Sequence, residues 1–194
     1  MVKKQSRLTA KWLRKIGVKE VLIPGLILAG VLGWTGGQKL GPDIYKNKQA
    51  FPDNGIVRII TDGDTFELQN GVRVRMMGIN APDRGEKKEN EATKKLSDLV
   101  EDKKVWLEYD RYQDDKNGRV LAWVWVGCEA TPKFLPADYM HLSFNRSRPG
   151  LTDNPEGCKK GKLAQEEMVK AGLVSVEVYK ERGDLKYEKR LLDE

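Results

Sequence analysis

The sequence predicts an α+β domain: a small, mainly β Greek-key barrel of five strands, closed by about three helices, over residues 55–194. Three observations lead to this prediction. Short β-rich runs follow one another from residue 56, and two-residue turn signals separate several of them. A stretch with helical spacing lies before the fourth run. Two further helical stretches follow the fifth.

The five runs supply the predicted strands. Asp-Gly and Asn-Gly pairs mark several of their ends, and Asn-Gly is a strong two-residue hairpin signal. In the third run, Val72, Val74 and Met76 alternate with Arg73 and Arg75, as expected for a strand with two different faces. The predicted strands are 56–61, 65–68, 72–79, 105–109 and 120–126.

Helical spacing appears in three places. Residues 90–100 place Ala92, Leu96 and Leu99 on one stripe. Residues 163–171 predict a second helix, ending at Gly172. A third is predicted over 184–192, with Asp184 as its N-cap. Between the fifth strand and the second helix, residues 127–161 hold four prolines and four glycines, and we expect an irregular excursion there.

The first 54 residues follow a different pattern. Residues 1–20 form a basic tail, and the apolar segment 21–37 begins with 14 uncharged residues. A basic stretch before an apolar run is typical of an export signal or a membrane anchor. We expect an apolar helix that stays in the cell membrane as a single anchor, with the domain outside the cytoplasm. The alternatives are secretion after signal cleavage, or a buried helix. Residues 38–54 are predicted to be a linker.

Charge and composition exclude several classes of site. Residues 1–20 hold seven basic residues and one acid, which accounts for the whole net charge of +6. The rest of the chain is balanced, so bulk charge alone gives no argument for nucleic acid. The single histidine, His141, excludes sites that need two histidines. Two cysteines cannot form a four-cysteine zinc site.

Three motifs at predicted strand ends carry groups suited to phosphate chemistry. Asp64 follows the first turn, Arg75, Asn80 and Asp83 accompany the end of the third strand, and Arg119 begins the fifth. Each motif alone is typical of a turn or a surface ion pair. Together they offer oxygen ligands for a hard cation such as Ca²⁺ and two guanidinium forks for phosphate oxygens. Phosphodiester cleavage requires such a set.

These motifs, in this order, resemble the staphylococcal nuclease (thermonuclease-like) family. The segments that carry the resemblance are Asp62-Gly63-Asp64-Thr65, Arg75 to Asp83, and Asp115-Lys116-Asn117-Gly118-Arg119. The likeness extends from about residue 56 to about residue 192 and is interrupted by the excursion. It implies an OB-fold barrel with three helices that cleaves DNA and RNA with Ca²⁺.

The resemblance also implies residue roles. Its catalytic residues are Arg75 and Arg119, which stabilise phosphate charge, and Asp83, which activates or orients the attacking water. Its calcium ligands are Asp64, Asn80 and the backbone carbonyl of Ala81. Lys116 and Tyr179 would bind the terminal phosphate of the substrate.

Two residues depart from the family pattern. Asn80 stands in place of a charged aspartate, so we expect weaker calcium binding. Asp83 is one methylene shorter than the family's glutamate, which moves the carboxylate by roughly 1 Å, and a displacement of that size can cost about a hundredfold in rate.

We therefore predict a monomeric, exported or membrane-tethered, calcium-dependent endonuclease acting on DNA and/or RNA. A catalytically weakened nucleic-acid-binding module of the same fold is the first alternative. The second is an adhesion or interaction domain whose excursion binds a partner protein.

The two cysteines form the last prediction. Cys128 and Cys158 bracket most of the excursion. Because an exported domain meets oxidising conditions and no third cysteine competes, we expect a disulfide between them. Two free thiols would be expected of a cytoplasmic domain.

Overall fold

Five strands close into a barrel, as predicted, and their inward side chains form the core. The structure, a computed structural model, describes residues 51–142, 146–178 and 183–194. The barrel strands are β1 (Asn54–Ile60), β2 (Thr65–Leu68), β3 (Arg73–Met76), β5 (Lys104–Glu108) and β6 (Val120–Val126). β1 shifts register between Val57 and Ile59, pairing with β2 along one half and with β5 along the other.

The barrel closes through a parallel pairing of β3 with β6, in which Val74 lies opposite Val120. This seam is the one parallel pairing within the described barrel. Its physical reason is the strand number, since directions cannot alternate all the way around a closed ring of five. The other four pairings of the barrel are antiparallel.

The predicted third strand is interrupted. A turn at Met77–Gly78, where Gly78 has φ +75°, separates β3 from the short strand β4 (Ile79–Asn80). β4 leaves the barrel and pairs antiparallel with β10 (Ser175–Val176), so that Ser175 lies opposite Asn80. The chain therefore carries Asn80 to the rim of the barrel.

Three helices pack against the barrel: α1 (Glu89–Val100), α2 (Ala164–Lys170) and α3 (Glu188–Leu192). α1 buries the predicted stripe through Ala92 and Leu96. α3 begins four residues later than predicted, and Asp184 is not its N-cap. The reason is tertiary, because the Lys186 backbone N–H donates to the buried Asp110 carboxylate and holds the preceding residues in another conformation.

The excursion is irregular in its described part. Its regular pairing there is the short hairpin of β7 (His141–Leu142) and β8 (Arg146–Ser147), and β9 (Lys162–Leu163) then joins the edge of β6. Cys128 and Cys158 form a disulfide in the structure. Residues 1–50, with the predicted tail, anchor and most of the linker, lie outside the described residues. In the part of the chain that is described, no helix is long and apolar enough to cross a membrane.

Candidate active site

A cavity of about 670 Å³ opens at the rim where β2, β3 and β6 meet α1. Its walls carry the three motifs that the sequence singled out, together with the loop that precedes α1. Acidic, basic and amide groups dominate the lining: Thr61, Asp62, Asp64, Arg75, Asn80, Ala81, Pro82, Asp83, Arg84, Glu89 and Arg119.

Asp64 is the most firmly held acid of this cavity. It lies at the β1–β2 turn, and the residue is only 5% exposed. The Thr65 hydroxyl donates to its Oδ1 at 2.9 Å, and the Ala81 backbone N–H donates to its Oδ2 at 2.7 Å. These two hydrogen bonds fix the position of the Asp64 carboxylate at the base of the site.

Gly63 allows this turn to approach its neighbours closely. A Cβ at this position would lie 2.6 Å from the Cβ of Ala92 on α1 and 2.8 Å from the Cβ of Ala81. Such distances are sterically forbidden, so any side chain would push the turn away from the helix and the β4 loop. The Asp-Gly-Asp sequence thus brings Asp64 within reach of the Ala81 backbone.

Arg75 bridges the first two motifs. Its guanidinium forms an ion pair with Asp64 Oδ2, and its Nη2 donates to Asn80 Oδ1 at 2.9 Å. The side chain is 13% exposed, facing the cavity. Charge-assisted contacts of this kind fix the plane of the guanidinium, so that Arg75, Asp64 and Asn80 form one unit.

Arg119 is oriented by Asp115 across the hairpin turn. Its Nε and Nη2 each lie 2.7 Å from Asp115 Oδ2, and its Nη1 lies 3.3 Å from the Thr65 hydroxyl. Burial acts to raise the pKa of the Asp115 carboxyl. Hydrogen bonds donated by Arg119 outweigh that effect and hold this pKa below its usual value. The ionised carboxylate aims the Arg119 guanidinium at the cavity already lined by Arg75.

Asp83 lies on an exposed loop whose backbone is held by hydrogen bonds to two glutamate carboxylates. The Asp83 backbone N–H donates to Glu86 Oε2 at 2.9 Å, and the Gly85 N–H donates to Glu89 Oε2 at 2.6 Å. Glu89 is the first residue of α1 and is half-buried. These contacts tie the loop to the helix, while the Asp83 side chain stays open to solvent beside the cavity.

Six predicted site residues meet in this cavity: Arg75, Asp83, Arg119, Asp64, Asn80 and Ala81. Lys116 is exposed at the tip of the adjacent hairpin and is not part of the lining. Tyr179 lies outside the described residues. Sequence reasoning missed Arg84 and Glu89. The position of Glu89 directly before the predicted helix 90–100, shortly after the Asn80–Asp83 motif, was the available signal.

The acidic groups are spread around the cavity. Among the described residues, no three His, Cys, Asp or Glu side chains lie close enough together to hold a metal ion by themselves. Ala81 directs its N–H to Asp64, and the role of its carbonyl as a cation ligand stays a prediction.

The cavity at the rim of this five-stranded barrel is lined by two guanidinium groups, those of Arg75 and Arg119, and by the buried Asp64 carboxylate, groups that suit the hydrolysis of phosphodiester bonds. The model of the family described as staphylococcal nuclease homologue matches residues 73–194 of this chain. The chain belongs to that family.

Two curated relatives are similar to this chain. The thermonuclease of Staphylococcus intermedius is 28% identical over 130 residues, covering 60% of this chain and 74% of the relative. The thermonuclease of Staphylococcus hyicus is 35% identical over 85 residues, covering 38% of this chain and 48% of the relative. The chain thus spans about half the length of the second relative.

Proposed function

We propose that the protein is an exported or membrane-tethered nuclease that hydrolyses DNA and/or RNA with Ca²⁺ in the cavity at the barrel rim. The presence of Arg75, Arg119 and the buried Asp64 in one cavity carries this proposal. Two thermonucleases among the similar proteins support the same reaction class.

The arginines would bind the scissile phosphate. Both guanidinium groups line the cavity, and each is held by a carboxylate, Arg75 by Asp64 and Arg119 by Asp115. Planar forks match the oxygens of a phosphate and stabilise charge that builds on them as the bond to phosphorus forms. Because both groups are already oriented, little reorganisation is needed when the substrate arrives.

Asp83 would accept or orient the proton of the attacking water. Its carboxylate stands at the solvent-facing edge of the cavity, where a water has access. A carboxylate within hydrogen-bond reach can accept or orient the proton of that water. The contacts of Glu86 and Glu89 with the loop backbone restrict where this short side chain can be placed.

The donor set suits calcium, since the acidic and amide groups of the lining offer oxygen ligands only. Asp64 and Asn80 would hold the ion with the Ala81 carbonyl, and further oxygens would come from water. When bound, a Ca²⁺ ion would polarise a phosphoryl oxygen and neutralise phosphate charge. Arg75 contacts both side chains and would share them with the ion.

The substrate would be a polynucleotide read mainly through its backbone. The cavity is open and polar, and the exposed Lys116 extends positive charge along the hairpin beside Arg119. Contacts to phosphate position a nucleic acid without selecting its sequence. We propose that Lys116, together with Tyr179, binds the terminal phosphate of the substrate.

Two features, one of the sequence and one of the structure, support the proposal that the domain is exported. The N-terminal segment is basic and then apolar, and the disulfide between Cys128 and Cys158 suits an oxidising compartment. The size of the protein recovered from membrane and medium fractions distinguishes a retained anchor from a cleaved signal.

One assay tests the function. Purified protein is incubated with labelled single- and double-stranded DNA and with RNA, in Ca²⁺ or in excess chelator. Cleavage that requires Ca²⁺ and disappears in Arg119→Ala supports the proposal. Tight binding without cleavage would favour the weakened nucleic-acid-binding module, for which the neutral Asn80 is the specific argument.

A further inference from the structure

The outer face of strands β1 and β5 exposes apolar and aromatic side chains. In this antiparallel pair Ile56 lies opposite Lys104, and Asn54 lies opposite Trp106. Val105, between Lys104 and Trp106, is fully buried in the core. Side chains alternate along a strand, so Lys104 and Trp106 point away from the core, as do their cross-strand partners. Ile56 is 41% exposed on this face.

Two further aromatic residues extend this face at the start of β1. The ring of Phe51, which is 39% exposed, packs edge-on against the ring of Tyr109 with centroids 5.9 Å apart. The Tyr109 hydroxyl donates to the Pro52 carbonyl at 2.6 Å, which holds the segment before β1 against the end of β5. Asp53 is exposed in the same segment. On β5, the Lys104 Nζ lies 4.1 Å from the centroid of the Trp106 ring.

We call these five residues the β1–β5 patch: Phe51, Ile56, Lys104, Trp106 and Tyr109. Their chemistry is that of a membrane–water interface. Tryptophan and tyrosine rings are enriched at the level of lipid headgroups, because one part of each ring system is apolar and another is polar. A lysine beside them can lay its aliphatic stem on apolar surface while its ammonium meets anionic headgroups.

The patch lies where the chain enters the domain. Residues 38–50 separate Phe51 from the end of the apolar segment 21–37. A stretch of that length reaches at most about 45 Å when fully extended, so a domain tethered through it stays within that distance of the bilayer. The catalytic cavity is at the other end of β1, since Asp64 follows the last residue of this strand. Seven strand residues span about 23 Å.

We propose that the β1–β5 patch docks the domain on the lipid headgroups of the membrane that anchors the chain, and that the cavity thereby faces away from the lipid. This inference rests on the membrane-tethered form of the proposed function. A stacking surface for a polynucleotide is the other use of exposed aromatic rings. That use also requires basic groups along the phosphates, and the β1–β5 patch has one lysine and no arginine.

An environment-sensitive label on the full chain tests the docking. Ile56→Cys is labelled with nitrobenzoxadiazole without reduction, so that Cys128 and Cys158 keep their disulfide. The labelled chain is placed in nanodiscs of phosphatidylcholine and phosphatidylglycerol. Leu192→Cys is the matched control, since Leu192 is an apolar residue of α3 that is 56% exposed outside the patch. We expect the Ile56 label to emit at shorter wavelength and more brightly than the Leu192 label.

Two variants show whether the patch itself causes the shift. Trp106→Gln should return the emission of the Ile56 label to that of the Leu192 label. Lys104→Gln, at an exposed position, is the milder change. One lysine near an anionic surface contributes about 1 kcal/mol, so this variant should lower the ratio of docked to undocked protein about fivefold. In nanodiscs of phosphatidylcholine alone, Lys104→Gln should have no effect.

The outcomes separate the docking surface from the nuclease. Equal emission from the Ile56 and Leu192 labels, or an Ile56 emission that Trp106→Gln leaves shifted, overturns the docking surface. An Ile56 shift caused by an oligonucleotide without lipid also overturns it, in favour of nucleic-acid binding. A chain that cleaves DNA but is recovered free of nanodiscs overturns the tether and the docking surface and leaves the nuclease. A chain that docks as expected but cleaves no nucleic acid supports the docking surface and overturns the nuclease.

Discussion

The Nζ of Lys186 lies 3.0 Å from Oε1 of Glu108, and both side chains are buried. Glu108 Oε2 accepts hydrogen bonds from the Trp125 indole at 3.0 Å and the Tyr187 hydroxyl at 2.9 Å. Lys186 also donates to the Leu135 carbonyl of the excursion at 2.8 Å. One buried network therefore ties the segment before α3 to strands β5 and β6 and to the excursion.

Removing one partner of this pair should be strongly destabilising. Burial raises the pKa of the Glu108 carboxyl above its usual value, against the opposing pull of Lys186. In Lys186→Met this acid loses the cation that compensates it, and such losses cost about 3–5 kcal/mol in the free energy of unfolding. Urea denaturation measures the difference, with the exposed Lys189→Met as control. Equal stability of the two variants would contradict this account of the network.

Replacing either active-site arginine by lysine should abolish most turnover. A lysine offers a point charge where Arg75 and Arg119 present a planar fork. By comparison with single oxyanion donors, we expect the activation free energy to rise by about 2.7–4 kcal/mol at each position. Steady-state kinetics on DNA with Ca²⁺ provides the measurement. Arg58→Lys, at an exposed side chain of β1, is the control. An Arg75→Lys or Arg119→Lys variant that keeps most of its kcat would refute the assigned role.

Asp115 should make stability dependent on pH at acidic values. Its pKa in the folded protein is below the ordinary value of 3.8, so the folded state binds this proton more weakly than the unfolded chain does. The resulting stabilisation is complete above the ordinary pKa of the unfolded chain. It is lost as the pH falls through the lower pKa that Asp115 has in the folded protein. Asp115→Asn should therefore be less stable than the wild type near pH 6, and the difference should shrink toward about pH 3. Denaturation midpoints at both pH values test this, with Asp114→Asn controlling for net charge. A difference that grows on acidification would show that the sign is wrong.

Local patterns were enough to predict the barrel strands, because turn pairs and alternation are properties of neighbouring residues. They could not predict that β6 returns parallel to β3, which follows from closing a ring. The prediction that the third helix begins at Asp184 was wrong, because the Lys186 N–H donates a hydrogen bond to the Asp110 carboxylate, which is distant in sequence. Such contacts leave no periodic signal.

The candidate site likewise contains residues that the sequence predicts and others that only tertiary packing places there. Asp64, Arg75 and Arg119 stand in motifs whose residue types already indicate phosphate chemistry, and the structure gathers them. Glu89 belongs to the cavity because α1 packs against Gly63 through Ala92, an approach that depends on tertiary packing. In the sequence, Glu89 differs from Glu91 only in lying nearer to the Asn80–Asp83 motif.

Asn80→Asp should tighten calcium binding. The substitution places a second carboxylate beside Asp64, where Arg75 Nη2 already donates to the Asn80 side chain at 2.9 Å. More charge in an oxygen site raises affinity for Ca²⁺, although part of the new charge will pair with Arg75. Isothermal titration compares the variant with the wild type, and Asp64→Ala, which should lose both metal binding and activity, sets the lower limit. If Asn80→Asp binds no better, Asn80 is not a calcium ligand.

Cys128 and Cys158 should be oxidised in protein taken from its native compartment. Their bond closes a loop with a sequence separation of 30 residues, which in the chain-entropy treatment corresponds to about 3–4 kcal/mol of stabilisation. Thiol counting on denatured, unreduced protein should find no free thiol, and reduction should lower the urea midpoint of the wild type. Cys128→Ser/Cys158→Ser is the control, because reductant should not change its midpoint. Two free thiols in natively isolated material would contradict both the bond and the placement of the domain outside the cytoplasm, since only a reducing compartment keeps such a pair apart.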